Sequence, residues 1–200
     1  IKICHNRRVI SMDYRGTGKS GYSANWKTYN IQNYLNDLHH LLAVLNVRKI
    51  FVIGTSLGGL IAMAMGVIMP KRLGGALLND IGPEIAPKGL TNLKEYLGGK
   101  KTFSSWIDVA KNLQRYFPEL GDYSLDAWIK IAKGSYVEDN DGIIRQNWDP
   151  MLVKSLKKQN ISQANIWALF NSLKRIPLLG LRGEKSNILS ERVFIKMKNL

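Results

Sequence analysis

The pentapeptide Gly54-Thr55-Ser56-Leu57-Gly58 is the part of the sequence best suited to chemistry. It follows the β-branched run at residues 50–53 and precedes an apolar, glycine-rich stretch, so a buried strand should lead into it and a helix out of it. In that setting the serine occupies a sharp turn, and the glycines let strand and helix pass closely. The pattern predicts a nucleophilic hydroxyl at Ser56, with the Leu57 amide at the helix N-terminus facing an oxyanion. The alternative is an ordinary Gly-Ser turn.

The elements that must position Ser56 alternate along the chain. Apolar runs predict strands at residues 8–13, 50–53, 73–78 and 176–181. Helical spacing predicts a helix at residues 31–45. Further helices are expected at residues 57–69, a stretch of small and apolar residues that ends at Pro70, and at residues 190–199. Between them, the stretch of residues 83–170 is helical and aromatic and contains four of the five tryptophans, Trp106, Trp128, Trp148 and Trp167. We therefore expect an α/β core formed by residues 1–82 and 171–200, with residues 83–170 inserted as a helical cap.

Four segments together resemble the α/β-hydrolase superfamily: RVISMDYRGTGKS, FVIGTSLGGL, ALLNDIGPEI and PLLGLRGEKSNILS. The resemblance implies a mostly parallel sheet with flanking helices, in which the predicted strands are the fourth to the seventh and the cap precedes the last visible strand. It also implies a serine hydrolase without a cofactor, acting on an ester, a lactone or a related acyl bond of a small molecule. The cap aromatics would then either line an apolar substrate pocket or form the core of the cap.

The resemblance also assigns the partners of the nucleophile, and here the sequence departs from the family. The position of the usual catalytic acid, after the seventh strand, is Asn187, which carries no charge. Asp80, at the end of the sixth strand, is a substitute acid by the same resemblance, with a loop or capping carboxylate as the alternative. The histidines His5, His39 and His40 all lie outside the family's position for the catalytic base and are expected on the surface.

By this resemblance the chain is expected to be a fragment that lacks both ends of the fold. The family's third strand lies between the fourth and fifth, so its absence should leave the sheet incomplete. We expect such a chain to fold poorly alone or to pair the fourth strand directly with the fifth. A complementary chain carrying the missing strands and histidine is one expected partner. The alternative function is a catalytically inactive remnant, or a ligand-binding module that kept the pocket.

Composition restricts the remaining function classes. The net charge of +14 and the pI of about 9.9 come from lysines that are spread along the chain, which predicts a solvated surface; a basic interaction face stays open as the alternative. No nucleic-acid motif, metal-ligand spacing or membrane span is visible, and Gly18-Lys19-Ser20 lacks the first glycine of a P-loop. The single cysteine, Cys4, excludes an internal disulfide and favours a cytoplasmic protein.

Overall fold

A three-stranded parallel sheet lies at the centre of the computed structural model, which describes residues 6–99, 102–158 and 163–199. Its strands are β1 (Ile50–Thr55), β2 (Leu73–Asn79) and β6 (Leu178–Leu181), in the order β1-β2-β6. The strands predicted from the apolar runs at residues 50–53, 73–78 and 176–181 are thus confirmed. Because all three strands run in the same direction, their carboxyl ends share one edge of the sheet.

The helices predicted on either side of β1 and after β6 are also present. They are α1 (Ile31–Val44), α2 (Leu57–Ile68) and α8 (Glu191–Lys198). The middle of the chain adds α3 (Pro87–Gly98), α4 (Trp106–Tyr116), α5 (Leu125–Ala132), α6 (Leu152–Lys158) and α7 (Gln163–Ser172). Within the described ranges, no helix is both long enough and apolar enough to cross a membrane.

The predicted strand at residues 8–13 is wrong. This segment forms no strand, and Val9 is 45% exposed. The alternative of direct pairing with β1 is also wrong, because in the described part of the chain β1 pairs only with β2. A strand is defined by its ladder of backbone hydrogen bonds, and no neighbouring strand supplies them here. An apolar run therefore predicts a strand only when a partner lies beside it.

The two faces of the parallel sheet differ in what covers them. Leu78 is fully buried in the cluster that includes α2, and its register partner Gly180 lies against Phe194 of α8. The opposite face carries Phe51, Ile53 and Leu179, which are 69%, 61% and 52% exposed. Since Ile53 and Leu179 both lie in register with Leu77, they form one apolar row across the sheet. One face of this parallel sheet is therefore bare, although parallel sheets are normally covered on both faces.

The middle of the chain contains more than the expected helices. Three short strands form a small antiparallel sheet in the order β3-β5-β4: β3 (Thr102–Phe103), β4 (Tyr136–Glu138) and β5 (Ile144–Gln146). A buried aromatic cluster packs on them and on α4 and α5, separate from the cluster beneath the parallel sheet. Helix α7, by contrast, packs against α2. The division at residues 83–170 stays a prediction.

One polar junction joins the middle of the chain to the loop after residues 8–13. The buried carboxylate of Asp149 accepts a hydrogen bond from the Tyr29 hydroxyl, and its backbone amide donates to Gly16 O at 2.7 Å. The Gly18 amide donates to Asn147 O at 2.9 Å. A buried carboxylate needs such donors, because an unpaired buried charge is strongly destabilising. The junction fastens the middle of the chain to this glycine-rich loop and to Tyr29.

Candidate active site

Ser56 lies at the junction of β1 and α2, where the sequence predicts it. Its backbone angles are φ 50° and ψ −119°, which a non-glycine residue adopts only under strain. The side chain is exposed and does not cap α2. The turn therefore holds the Ser56 hydroxyl out into solvent at the carboxyl edge of the sheet.

The two glycines near Ser56 explain how so sharp a turn fits. A Cβ on Gly54 would lie 2.4 Å from Gly58 O, which is backbone and unable to move aside, so β1 and α2 approach too closely for any side chain. A Cβ on Gly59 would lie 2.2 Å from Ile81 Cγ2, in the segment that follows β2. Gly58, in contrast, has open space around it, with the Tyr14 hydroxyl as its nearest neighbour. The close approach of neighbouring segments therefore requires glycine at positions 54 and 59.

Backbone donors face the region beside the Ser56 hydroxyl. The first helical residue, Leu57, lies in the first turn of α2, where amides have no intrahelical acceptor. The Ser56 carbonyl accepts from the amides of Gly59 and Leu60 at 2.9 and 3.2 Å, so it closes the first turn. The helix dipole adds partial positive charge at this end. An anion that forms beside Ser56 would be stabilised here.

Asp80 follows β2 at the same edge and is anchored to the loop after β6. Its backbone φ is 53°, and its amide donates to Leu181 O at 2.9 Å. Its two carboxylate oxygens accept separate hydrogen bonds, from the Gly183 amide at 2.9 Å and from the Ser186 hydroxyl at 2.8 Å. The carboxylate is thus oriented by the same loop that carries Asn187.

Asn187 lies in that loop, which packs against the first turn of α3. Its carbonyl is so close to Gly89 of α3 that a Cβ on Gly89 would lie 2.4 Å from it. The neighbouring Ile188 carbonyl accepts from the Ala86 amide at 2.8 Å, which fastens the loop to the start of α3. No hydrogen bond joins the Asn187 side chain to another residue in the described ranges. The structure thus brings Asp80 and the Asn187 loop together at the carboxyl edge.

The two described histidines, His39 and His40, lie away from Ser56. His39 and His40 are exposed on α1, with ring centroids 6.0 Å apart. His39 lines a groove with Met69 and Lys71, beyond the last residue of α2, whereas Ser56 precedes its first residue. A helix of 12 residues is about 18 Å long, so His39 and Ser56 are at opposite ends of α2. His5 and Cys4 lie outside the described residues.

The polar side chains of Asp13 and Arg15 hold the loop DYRGTGKS in place. The carboxylate of Asp13 accepts from the Lys19 amide at 2.9 Å, and Arg15 forms a two-point ion pair with Asp37 of α1 at 2.5 and 2.6 Å. The ion pair and its hydrogen bonds raise the pKa of Arg15. A groove of about 820 Å³ lies between this loop, residues 8–12 and α1. Ser56 does not line it.

The aromatic residues of the middle region mainly form its core. Trp128 and Trp148 are almost fully buried, and the Tyr96, Tyr136 and Trp148 rings pack edge-on or tilted against one another. Burial raises the pKa of both Tyr96 and Tyr136, which keeps their hydroxyls protonated. Of the two expectations, core packing is confirmed for these residues. In the described ranges, no three His, Cys, Asp or Glu side chains stand together as a metal site.

Sequence reasoning missed Tyr14, whose hydroxyl is the side-chain group nearest to Gly58. Burial raises its pKa, and its ring packs against that of Tyr34 at 5.2 Å. The available signal was its place directly after the predicted strand at residues 8–13. It also missed Ser186, although the available signal was its place directly before Asn187, the position of the usual acid.

Comparisons with known proteins agree with this arrangement. A family model described as alpha/beta hydrolase fold matches residues 5–184. The chain is similar to a crystal structure of an alpha/beta hydrolase from Novosphingobium aromaticivorans, with a TM-score of 0.86 and 36% identity. That match covers 94% of this chain and 67% of the other.

Two named relatives extend the comparison. The chain is 29% identical to a 3-hydroxybutyrate-oligomer hydrolase of Cupriavidus necator, over 98% of this chain and 69% of that protein. It is 31% identical to an sn-1-specific diacylglycerol lipase of Danio rerio, over 56% of this chain and 34% of that protein. The matched regions thus cover about a third of the lipase and about two thirds of the other relative.

Proposed function

The chain belongs to the alpha/beta hydrolase family, and from that premise we propose that it is a serine hydrolase acting on an ester or a related acyl bond. The observation that carries the proposal is the conformation of Ser56. A strained, exposed serine at the first turn of a helix combines a nucleophile with backbone donors for an oxyanion. Strain of this kind persists where the fold over-determines the backbone, and it clusters at functional sites.

The proposed reaction proceeds in two steps. Ser56 Oγ attacks the carbonyl carbon while its proton passes to a general base, and the Leu57 amide stabilises the oxyanion. The tetrahedral intermediate then collapses, the alcohol leaves with that proton, and an acyl group stays on Ser56. Water, activated by the same base, releases the acid and regenerates the serine hydroxyl. The bond that breaks in the substrate is the acyl carbon–oxygen bond.

We assign the acid to Asp80. It carries a negative charge, and its two oxygens are held by Gly183 and Ser186 at the carboxyl edge of the sheet. Asn187, the alternative, has no charge with which to stabilise an imidazolium, and an amide in that role permits the wrong imidazole tautomer. A carboxylate orienting a base is therefore better supported at Asp80.

The general base is proposed to be a histidine outside the 200 residues of this sequence, for which a complementary chain is one source. His39 and His40 are at the far end of α2 from Ser56, about 18 Å along the helix. The structure offers two places for additional chain: the outer edge of β1, and the bare face with Phe51, Ile53 and Leu179. Covering that face would bury apolar area, which drives association. We propose that the segment docking there also brings the histidine.

The substrate class is proposed from the chemistry of the site and from the relatives. One relative is named as a hydrolase of 3-hydroxybutyrate oligomers and another as a lipase of diacylglycerol; both names denote substrates joined by ester bonds. We therefore propose small carboxylic esters as substrates. A cytoplasmic location is proposed as well, supported by the single cysteine, which forms no internal disulfide.

The test is covalent labelling of the 200-residue protein with a fluorophosphonate probe, with and without added imidazole. Imidazole supplies the base that the proposal assigns to residues outside this sequence. We expect weak labelling that rises with imidazole and is lost in Ser56→Ala. Ser104→Ala is the matched control, since Ser104 is an exposed serine in the middle of the chain.

Each outcome of the labelling experiment distinguishes a serine hydrolase from the alternative function. Labelling that imidazole increases and Ser56→Ala abolishes supports the serine hydrolase. Labelling of equal strength in Ser56→Ala would show that the probe reacts elsewhere and would overturn the assignment. No labelling of folded protein at any imidazole concentration would favour the alternative, a catalytically inactive ligand-binding module.

A further inference from the structure

Four pairs of basic residues each directly precede, or come shortly before, an apolar segment of the α/β core. They are Arg7-Arg8 before residues 9–13, Arg48-Lys49 before β1, Lys71-Arg72 before β2, and Lys174-Arg175 two residues before β6. These pairs contain eight of the 29 lysine and arginine residues. The proposed site at Ser56, Asp80 and Asn187 follows the strands. The pairs therefore occupy the other end of the same elements.

The parallel topology places the pairs on one edge. Since β1, β2 and β6 are parallel and in register, the residues before them share the amino edge of the sheet. Side-chain contacts tie the segments together: Arg8 donates to Leu45 O at 3.3 Å, and Arg72 donates to Val47 O at 2.6 Å. The 3₁₀ helix that carries Lys174 and Arg175 packs, through Leu173, on Gly66 of α2. We call these eight residues the basic edge.

The charge of the basic edge is not neutralised internally. Seven of its side chains are exposed and Arg72 is half-buried. Across the described residues, the ion pairs of the protein involve Arg15, Arg145, Arg192 and Lys196, and none involves a member of the basic edge. Like charges gathered without partners repel one another and are stabilised by an external anion. This differs from the solvated, scattered surface that the sequence predicts.

Exposed apolar side chains lie among these cations. Val44 ends α1 and is 84% exposed, and Val67 and Ile68 end α2 with about half of their surface exposed. Because α1 leads into β1 and α2 leads into β2, both helix ends lie at the amino edge. The basic edge therefore combines positive charge with protruding aliphatic groups.

We propose that the basic edge docks the protein on an anionic lipid bilayer, with Val44, Val67 and Ile68 entering the headgroup region. This inference does not depend on the proposed hydrolase chemistry. Cations attract an anionic leaflet, and apolar groups add burial at the interface. Nucleic acid would use the same cations, but aliphatic groups gain nothing from a phosphate backbone. The bilayer therefore accounts for both features, and docking at this edge leaves Ser56 facing away from the membrane.

The experiment is co-sedimentation of the full chain with vesicles of phosphatidylcholine alone or mixed with phosphatidylserine. We expect binding to the mixed vesicles only, weakened by salt. Each basic residue near an anionic surface strengthens partitioning about fivefold. The triple variant Arg48→Glu, Lys71→Glu and Lys174→Glu should thus lower partitioning by at least about a hundredfold. These three residues are exposed, so circular dichroism should show an unchanged fold.

The matched control is Lys88→Glu, Lys111→Glu and Lys130→Glu, which changes the net charge equally on α3, α4 and α5. Retained binding in the control supports the basic edge. An equal loss in both triple variants would mean that net charge alone drives binding, and would overturn the proposal. Equal binding to neutral vesicles, or no vesicle binding together with salt-sensitive binding to duplex DNA, would also overturn it. The double variant Val44→Ser and Ile68→Ser should weaken vesicle binding and leave DNA binding unchanged.

Discussion

The Asp80 carboxylate accepts a 2.8 Å hydrogen bond from the Ser186 hydroxyl, across 106 positions of the chain. Ser186 in turn accepts from the amides of Ile188 and Leu189 at 3.2 and 3.0 Å. The loop after β6 is therefore folded around the residue that directly follows β2. The same contact that would orient a catalytic acid also holds the Asn187 loop in place. The conformation of this loop and the proposed catalytic role therefore both depend on the Asp80 side chain.

Asp80→Asn should destabilise the protein and slow its chemistry. The variant keeps the shape but replaces one acceptor oxygen with an NH₂ group, which then faces the Gly183 amide or the Ser186 hydroxyl. Losing a half-buried hydrogen bond to a charged acceptor costs about 1–3 kcal/mol. Urea unfolding measures the change, with the exposed Asp122→Asn as control, expected within about 0.5 kcal/mol of the parent. Equal stability of both variants would contradict an anchoring role for Asp80.

Gly54→Ala and Gly58→Ala should have opposite effects, although the glycines are only four residues apart. At Gly54 a methyl group meets the Gly58 carbonyl at 2.4 Å, so β1 and α2 must separate; such overpacking costs about 1–3 kcal/mol or more. At Gly58 there is space, and alanine in a helix is favoured over glycine by about 1 kcal/mol. Thermal unfolding of the two variants tests this. A stable Gly54→Ala protein would show that the turn is looser than described.

Ser56→Gly should stabilise the fold while abolishing fluorophosphonate labelling. Glycine adopts a φ of 50° freely, so the variant relieves the strain that serine bears, which is on the order of 1–3 kcal/mol. Ser56→Ala loses the hydroxyl but keeps the strain, and should unfold near the parent temperature. Comparing the two melting temperatures isolates the backbone contribution. If the melting temperature of Ser56→Gly were equal to or lower than that of Ser56→Ala, the backbone conformation at residue 56 would not destabilise the folded protein.

Most of the α/β core follows from local sequence, because its signals are local. Each element is specified without reference to the others: β1, β2 and β6 by their apolar runs, α1 by its periodicity, and α2 by its small and apolar residues up to Pro70. The pentapeptide around Ser56 is also local, since the steric demand at Gly54 arises within four residues. The turn and its helix could therefore be predicted from residues 50–69 alone.

Features that depend on contacts between distant parts of the chain could not be predicted from the sequence. Residues 8–13 have the composition of a strand, but their ladder partner is not among the described residues, so they stay unpaired. The contacts of Asp149 with Tyr29 and of Ser186 with Asp80 join residues more than 100 positions apart, and no periodicity encodes them. The basic edge could be predicted from the sequence only in part. Its pairs are visible in the sequence, but only the parallel topology shows that they share one edge.

The protein should lose stability in alkaline solution through its buried tyrosines, and Tyr34 should contribute measurably. Burial is the main cause that raises the pKa of Tyr34 from 10.0 to about 12, and Tyr29 and Asp37 add to it. Below pH 10 the folded and unfolded chains both keep the phenol proton. Between pH 10 and about 12 the unfolded chain releases it first, so the free energy of unfolding falls as pH rises, by on the order of 2 kcal/mol. Tyr34→Phe removes this dependence but not that of the other raised tyrosines, such as Tyr14 and Tyr29.

The difference between Tyr34→Phe and the parent in urea unfolding, measured at neutral pH and near pH 11, tests the assignment. Tyr123→Phe, which changes an exposed ring, serves as the control. We expect the parent to lose more stability than Tyr34→Phe over this interval, while the control follows the parent. The ultraviolet absorbance of phenolate should show one late-titrating tyrosine fewer in Tyr34→Phe. Burial raises the pKa of Tyr34 because the phenolate would be poorly solvated in the folded protein. If the parent and Tyr34→Phe lost stability in parallel, water would have to reach the Tyr34 ring in the folded protein. Its packing against Tyr14 would then need to be revised.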